Sequence, residues 1–398
     1  MKEKILRFDD FGRGICYIDN KVTFVPFSVP EDIIELEKTV EKKSFNEAKI
    51  IKIVESSPDR IVPRCPYFGV CGGCEYQMIA YKKSVEAKYN NVLSYFKKNN
   101  LDINPSIIKN ESPFNYRNKI TLKVVNSKIG YYKSNSHDFV EVDKCLLACN
   151  KINEVIKYLH KINIVNGNII IRSNYIDEVL IIINTLDNAD ITSLIDIPNL
   201  VGIVLNDKTI YGENYFKEKI NDLIYNVTYD SFFQINRNVC SKMFKLVEDF
   251  VNEKDRVLDL YSGVGTLGLT ASKKAKNVLG VEINKNAVDS ANTNALLNNL
   301  NNAKFIYSDA GDIKTIDFEF NKLIVDPPRS GLSKNTIDLI KAKLPDEIMY
   351  ISCDYHTQVR DLKLLDNYEI INSYICDMFS YTYHIECVCI LKKKDILE

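Results

Sequence analysis

Several short stretches of this chain hold residues whose types and spacing suit chemistry. CPYFGVCGGC places thiols at Cys65, Cys71 and Cys74, with paired glycines bending the backbone just before the last. The eleven cysteines are an odd number, and Cys16, Cys240, Cys376, Cys387 and Cys389 stand singly, so they do not form a disulfide framework. In a reducing compartment clustered thiols read as metal ligands. DLYSGVGTLGL carries Gly263, Gly265 and Gly268 in GxGxxG spacing after the strand-like RVLDLY, and Glu282 closes the next strand-like run. Such glycines let a backbone turn tightly against a nucleotide, and an acid about 20 positions on accepts hydrogen bonds from ribose hydroxyls. IVDPPRSG ends a run at Asp326, YISC ends another at Cys353, and HIECVCI opens one with His384 and Glu386.

A glycine turn of this kind suits a dinucleotide or S-adenosylmethionine. The Asp-Pro-Pro corner favours the second, because methyl transfer to planar nitrogenous groups needs a rigid carboxylate or amide to grip the ring, and hydride transfer does not. Cys353 adds a nucleophile, with His356 and Arg360 as candidate cations to draw its thiol toward thiolate. A thiolate is what carbon 5 of uracil requires: addition at carbon 6 pushes electron density onto carbon 5, which otherwise reacts poorly with a sulfonium methyl group. The carbon 5 proton must then leave to a general base, for which His384 and Glu386 are the candidates.

These groups need elements to carry them. Residues 1–56 read as short strands, GICYID and KVTFVPF among them, and predict a small β-barrel. Residues 57–229 hold the cysteine cluster, a helical pattern from Tyr76 to Lys98, and the strand-like runs KITLKVV, NIIIRS, VLIIINT and GIVLND, a mixed α+β unit. Residues 230–398 alternate strand and helix through RVLDLY, NVLGVEI, AKFIYSD, KLIVD, IMYIS and CVCILKK, the pattern of a doubly wound α/β sheet. No run approaches the roughly 20 apolar residues of a membrane helix, and MKEKILRFDDFGRG lacks a signal peptide's apolar core, so a cytoplasmic protein without a membrane partner is expected.

The net charge of −1 hides a contrast. Residues 75–133 carry eleven Lys or Arg against four Asp or Glu, while residues 1–74 balance at twelve against twelve. Within the basic segment Tyr76, Tyr81, Tyr89, Tyr95, Phe96, Phe114 and Tyr116 are available either to stack on nucleic-acid bases or to pack a core.

RxCPYFGVCGGC, YRNK, SFFQIN, DLYSGVGTLGL, VEIN, DPPRSGL, YISC and DMFSYTYHIE occur in one order along the chain. Together they resemble the RNA uracil-5-methyltransferase family, and within it the iron-sulfur branch that acts on 23S ribosomal RNA. The resemblance implies a C-terminal Rossmann-like S-adenosylmethionine methyltransferase domain and an N-terminal OB-like barrel of the TRAM type. It implies Cys353 as nucleophile and Glu386 as base. Gln234, Tyr261, Gly263, Gly265, Glu282 and Asp326 would line the cofactor and base pocket, with Asp309 a further cofactor candidate and Asp326 also reading the uracil edge. Cys65, Cys71, Cys74 and Cys145 would hold a [4Fe-4S] cluster; spacing alone leaves zinc open, and it is not that of a radical S-adenosylmethionine enzyme. A monomer acting on 23S ribosomal RNA is expected. Transfer RNA is the alternative substrate, and a metal-bearing RNA-binding protein with an inactive methyltransferase fold is the reading from another class. The chain departs from the family pattern at Ser262, where Cys is common, at Asp354 and Tyr355, where Asn-Pro or a similar pair follows the nucleophile, and at Ser380, where proline is usual.

Overall fold

A computed structural model describes residues 1–134, 136–312 and 317–395. Six strands open the chain: β1 (Lys2–Lys4), β2 (Arg7–Phe8), β3 (Gly14–Ile18), β4 (Lys21–Val25), β5 (Ile33–Glu41) and β6 (Phe45–Glu55). They form one curled sheet in the order β1-β5-β6-β4-β3-β2. Alternation in IIELEKTVE turns Ile34 and Leu36 inward, where they join Ile5, Cys16, Ile18, Val25 and Ala48. The loop between β2 and β3 is tied by Asp9, whose Oδ1 accepts hydrogen bonds from the backbone N–H groups of Phe11 (3.0 Å) and Arg13 (2.7 Å).

The cysteine-rich segment that follows lies outside regular helix and strand. Helix α1 (Tyr81–Lys98) starts five residues later than its pattern predicts. Tyr76 to Ile79 are buried and committed elsewhere: Met78 O accepts from Ile61 N at 2.8 Å, and the N–H groups of Glu75 and Tyr76 both donate to Tyr381 O. Much of the basic, aromatic segment also faces inward. Tyr76, Phe96 and Tyr116 are core residues and Lys88 is buried, so these side chains are withdrawn from any nucleic-acid surface.

Next come β7 (Ser106–Ile108), β8 (Lys119–Val125), β9 (Lys128–Tyr132), β10 (Phe139–Glu141), α2 (Asn150–Leu159), β11 (Gly167–Ser173), β12 (Val179–Thr185), β13 (Leu200–Leu205) and β14 (Lys208–Gly212). All of these strands except β7 form a seven-stranded sheet, β10-β9-β8-β11-β12-β13-β14, with α2 packed against it through Ile152, Val155 and Ile156. A hairpin of β15 (Tyr215–Ile220) and β16 (Leu223–Thr228) leads to α3 (Arg237–Phe250).

The remaining elements are β17 (Arg256–Leu260), α4 (Thr266–Ser272), β18 (Asn277–Glu282), α5 (Lys285–Leu297), β19 (Ala303–Tyr307), β20 (Lys322–Val325), α6 (Lys334–Lys343), β21 (Glu347–Ser352), α7 (Tyr355–Leu364), β22 (Tyr368–Cys376) and β23 (Glu386–Lys393). Their sheet has the order β19-β18-β17-β20-β21-β23-β22-β7. Strands β17 to β21 run parallel, as expected for apolar runs alternating with helices. Two members were not foreseen: β22, and β7, which pairs with it from within residues 57–229. Strand β23 is antiparallel to both its neighbours. Its amino end therefore lies at the same edge as the carboxyl ends of β17, β18, β20 and β21, and every candidate group of the C-terminal sheet is delivered to that edge.

Candidate active site

Register places the candidate groups. Ser352 pairs with Cys387 across the β21/β23 ladder, so the next residue on one strand, Cys353, stands opposite the preceding residue on the other, Glu386. Asp326 leaves β20, the neighbour of β21 on its other side. Glu386 is 5% exposed, whereas Cys353 is half-buried and borders a small cavity of about 110 Å³ with Arg329, Asp354, His356, Tyr383, His384 and two residues of the barrel loop, Asp10 and Phe11.

The charges interact strongly. Burial, then Asp326, pushes the Glu386 carboxyl well above the usual carboxylate range, and burial pushes Asp326 up to about 7. Two buried carboxyls that repel one another favour sharing a proton at neutral pH. Burial, with Glu386 next, pushes the Cys353 thiol up to about 11, and Arg329 opposes the rise. The cation beside the thiol is thus Arg329. The expected donors are committed elsewhere: Arg360 Nε donates to Asp361 Oδ1 at 2.8 Å, and His356 lies between Asp354 and Asp10. Burial followed by the Arg329 charge pushes His384 down to about 4, so this ring is neutral at physiological pH. Arg329 Nη2 lies 3.1 Å from His384 Nδ1.

On the nucleotide side, Tyr261 has a left-handed φ of 64°, unusual for an aromatic residue, and its hydroxyl is 3.0 Å from Thr336 Oγ1. Gly263 follows at φ 53°, with open space where a side chain would point, and its N–H donates to Glu282 Oε2 at 3.0 Å. Gly265 has φ 86°, and a Cβ there would lie 2.9 Å from the Phe305 ring. The loop thus turns where only glycine fits, at the β17/β20 position where strand order reverses, the usual crevice for a nucleotide. Ile283, beside Glu282, is 63% exposed and offers an apolar face that the spacing argument did not identify. Asp309 is exposed and accepts from Gly311 N at 2.7 Å. Gln234 is buried; its backbone O accepts from Asn118 Nδ2, and nearby Asn236 donates to Met378 O at 3.2 Å, which fixes SFFQIN beside the loop leading to Glu386.

The four candidate metal ligands also meet. Cys65, Cys71, Cys74 and Cys145 border one cavity of about 400 Å³, together with Gln77, Arg117 and Tyr131. All four are free thiols, and burial pushes those of Cys65, Cys71 and Cys74 upward. Gln77 spans the loop, accepting from Cys65 N (3.2 Å) and donating to Cys74 Sγ (3.3 Å). Among the described residues, no group of three or more His, Cys, Asp or Glu side chains is arranged to hold a metal ion. Nor is any described helix long and apolar enough to cross a membrane.

The family described as tRNA (Uracil-5-)-methyltransferase matches residues 80–394, and the TRAM domain of tRNA (uracil(54)-C(5))-methyltransferase matches residues 1–58. The chain belongs to the uracil-5-methyltransferase family. Uncharacterised RNA methyltransferases of Aquifex aeolicus and Clostridium tetani are 32% and 33% identical to it, each alignment covering 96% of this chain and 96% and 95% of the relative. The crystal structure of Pyrococcus abyssi tRNA (uracil-54, C5)-methyltransferase in complex with S-adenosyl-L-homocysteine is similar at a TM-score of 0.84 and 25% identity, over 98% of this chain and 100% of that one.

Hydrogen bonds hold both segments in which the chain departs from the family pattern. Asp354 caps α7, its Oδ1 accepting from His356 N (2.9 Å) and Thr357 N (3.3 Å). Ser380 Oγ donates to Asp377 Oδ2 (2.7 Å) and accepts from Asn110 Nδ2 (3.0 Å). Lys88 of α1 completes this anchor, pairing with Asp377 and donating to the backbone oxygens of Phe379 (3.3 Å) and His384 (3.0 Å).

Proposed function

We propose that this uracil-5-methyltransferase family member methylates carbon 5 of a uridine in 23S ribosomal RNA, working as a monomer with S-adenosylmethionine as methyl donor. The observation that carries the methylation chemistry is the meeting of Cys353, Glu386 and Asp326 at one sheet edge, beside a glycine turn suited to a nucleotide; the choice of ribosomal RNA rests on the resemblance of the cysteine cluster. The units taken are residues 1–56, 57–229 and 230–398. S-adenosylmethionine, when bound, supplies an electrophilic methyl group. Gly263 and Gly265 shape its loop, the second lone pairs on the Glu282 oxygens receive ribose hydroxyls, and Ile283 covers the base; Tyr261, Asp309 and Gln234 complete the lining.

The target base must leave its stack to reach this pocket. Asp326 holds the polar edge of the uracil. Cys353 bonds through sulfur to carbon 6, placing an electron pair on carbon 5, where the new carbon–carbon bond forms as the sulfonium–methyl bond breaks. Ionised Glu386 takes the carbon 5 proton, and the returning electron pair expels the Cys353 sulfur. One proton is released per turnover, and Arg329 steadies the thiolate before and after.

In the second cavity Cys65, Cys71, Cys74 and Cys145 would hold a [4Fe-4S] cluster, the centre the resemblance implies; the same four thiols would also suit zinc. The donors are four free cysteines lining one cavity, and the partly buried Arg117 side chain lines it with them, its Nε 3.4 Å from the Tyr116 hydroxyl. Four thiolates around either centre would carry a net negative charge that suits the guanidinium beside them. The cysteines would hold the segment in shape and take no part in methyl transfer.

A second substrate reading, transfer RNA, is favoured by the full-length likeness to the P. abyssi enzyme, which shares the barrel. Recombinant protein with labelled methyl donor should label ribosomal RNA from cells lacking the enzyme, with the label at carbon 5 of uridine. Label confined to transfer RNA selects the second reading. Donor binding without transfer to either RNA selects an inactive fold. Labelling that survives Cys353→Ala overturns the mechanism, whereas Glu386→Gln should accumulate a covalent protein–RNA adduct resistant to denaturant.

A further inference from the structure

The His356 ring meets carboxylates at both nitrogens. Nδ1 lies 3.2 Å from Asp354 Oδ1, and Nε2 lies 3.1 Å from Asp10 Oδ2, 346 residues away in the barrel loop. A neutral imidazole has one N–H and one lone pair, so it satisfies one carboxylate and repels the other; only the imidazolium donates to both. Tyr355 stacks on the ring at 4.2 Å and Tyr95 of α1 meets it edge-on at 4.3 Å, fixing its plane. Asp354 follows the nucleophile directly and caps α7, while Asn91 of α1 donates to Asp9 O at 2.8 Å and steadies the barrel loop. Asp10 and Phe11 in turn border the Cys353 cavity, and the Phe11 ring lies 5.4 Å from that of Tyr383.

We infer that Asp10 and His356 are positioning residues: the His356 imidazolium fastens the barrel loop to the segment that carries Cys353, so that the barrel forms one wall of the nucleophile's cavity. The inference rests on the proposed methylation. The charged and titratable groups around the latch are Asp354, Tyr355 and Cys353 on its own segment, Asp10 and Arg7 from the barrel, Tyr95 from α1, Arg329 from the loop after β20, and Tyr383 and His384 from the loop before β23. The hydrogen bond to Asp10, with further help from Asp354, raises the His356 pKa above the ordinary imidazole value. With Asp10 ionised, the latch is therefore present from mildly acidic to neutral pH and is lost as pH rises through that midpoint.

The test uses the full chain, whose four histidines can be followed by NMR during pH titration, with His356→Gln identifying the signal. In Asp10→Asn the His356 midpoint should move down toward about 6.5; an unchanged midpoint overturns the latch whether or not the protein methylates RNA. In methylation assays Asp10→Asn should lower kcat/KM by roughly two- to fivefold, the scale of a partly exposed ion pair. The alkaline loss of activity should begin at lower pH in Asp10→Asn and be relieved in His356→Arg, which keeps its charge. An alkaline limb that is the same in wild type and His356→Arg overturns the positioning role. Failure of wild-type protein to methylate any RNA counts against the proposed function alone, because the NMR titration still decides the latch.

Discussion

Lys88→Met tests the anchor that holds the Glu386 loop. Lys88 is 2% exposed and its partner Asp377 is fully buried, so the substitution keeps the side-chain bulk and strands a carboxylate in the core. Removing one member of a buried pair costs about 3–5 kcal/mol. The Tyr81 and Ser380 hydroxyls still donate to Asp377 at 2.8 and 2.7 Å, which favours the lower end, while the carbonyls of Phe379 and His384 lose their donor. We expect a loss of about 3 kcal/mol, a large part of the 5–15 kcal/mol that typically stabilises a fold. Urea unfolding followed by circular dichroism measures it. Adding Asp377→Asn, which removes the charge but still accepts from both hydroxyls, should recover more than half of the loss. A decrease below about 1 kcal/mol for Lys88→Met, or no recovery in the double variant, would refute the reasoning that a desolvated charge sets the cost.

Asp326 gives a prediction in pH. Its carboxyl is raised to about 7 by burial, so its contribution to stability is fully present below the unfolded value and is lost as pH climbs through 7. A rise of about 3 units corresponds to at most ~4 kcal/mol, and sharing with Glu386 brings the expected figure to the order of 1–3 kcal/mol. Asp326→Asn should therefore be inactive yet more stable than wild type above pH 7; parallel stability curves from pH 4 to 9 would contradict this. Arg329→Ala should slow iodoacetamide alkylation of Cys353 at pH 8, since the cation that opposes the thiol's upward shift is gone; an unchanged rate would remove Arg329 from that role. Gly265→Ala should destabilise the fold by about 1–3 kcal/mol and weaken S-adenosylhomocysteine binding by calorimetry, because its left-handed backbone is strained and its methyl group meets Phe305. Cys145→Ser should lose iron from anaerobically purified protein, whereas Cys149→Ser, outside the cavity lining, should retain it.

The sheet was legible where the chain wrote it as short, mainly apolar runs separated by helical stretches, as in RVLDL, NVLGVE and EIMYIS. Strand β22 escaped because Glu369 and Asn372 interrupt YEIINSYIC, and β7 because three residues carry no periodicity. The placing of Cys353, Asp326 and Glu386 followed from strand ends, a local signal. The identity of the cation at the thiol did not. Arg329 sat inside a recognised motif without a role, while His356 and Arg360 lay closer in sequence to Cys353 but pair with carboxylates contributed partly from elsewhere. Asp10 carried no signal, since nothing in DDFGRG points to a residue 346 positions on. The aromatic, basic segment shows the limit of periodicity: a helix face buried in a core and one presented to a polyanion have the same spacing, and only the position of Asp377 decides where Lys88 points.

Strand β23 lies between β21 and β22, although both precede it in the chain. During synthesis, β22 and its partner β7 therefore have no ladder to the rest of the sheet until β23 has emerged from the ribosome and entered the gap. The same insertion brings Glu386 up to Cys353. A nascent chain that already exposes its glycine turn and its thiol still lacks the proposed proton acceptor, and the last stitch of the sheet is also the step that completes the candidate site.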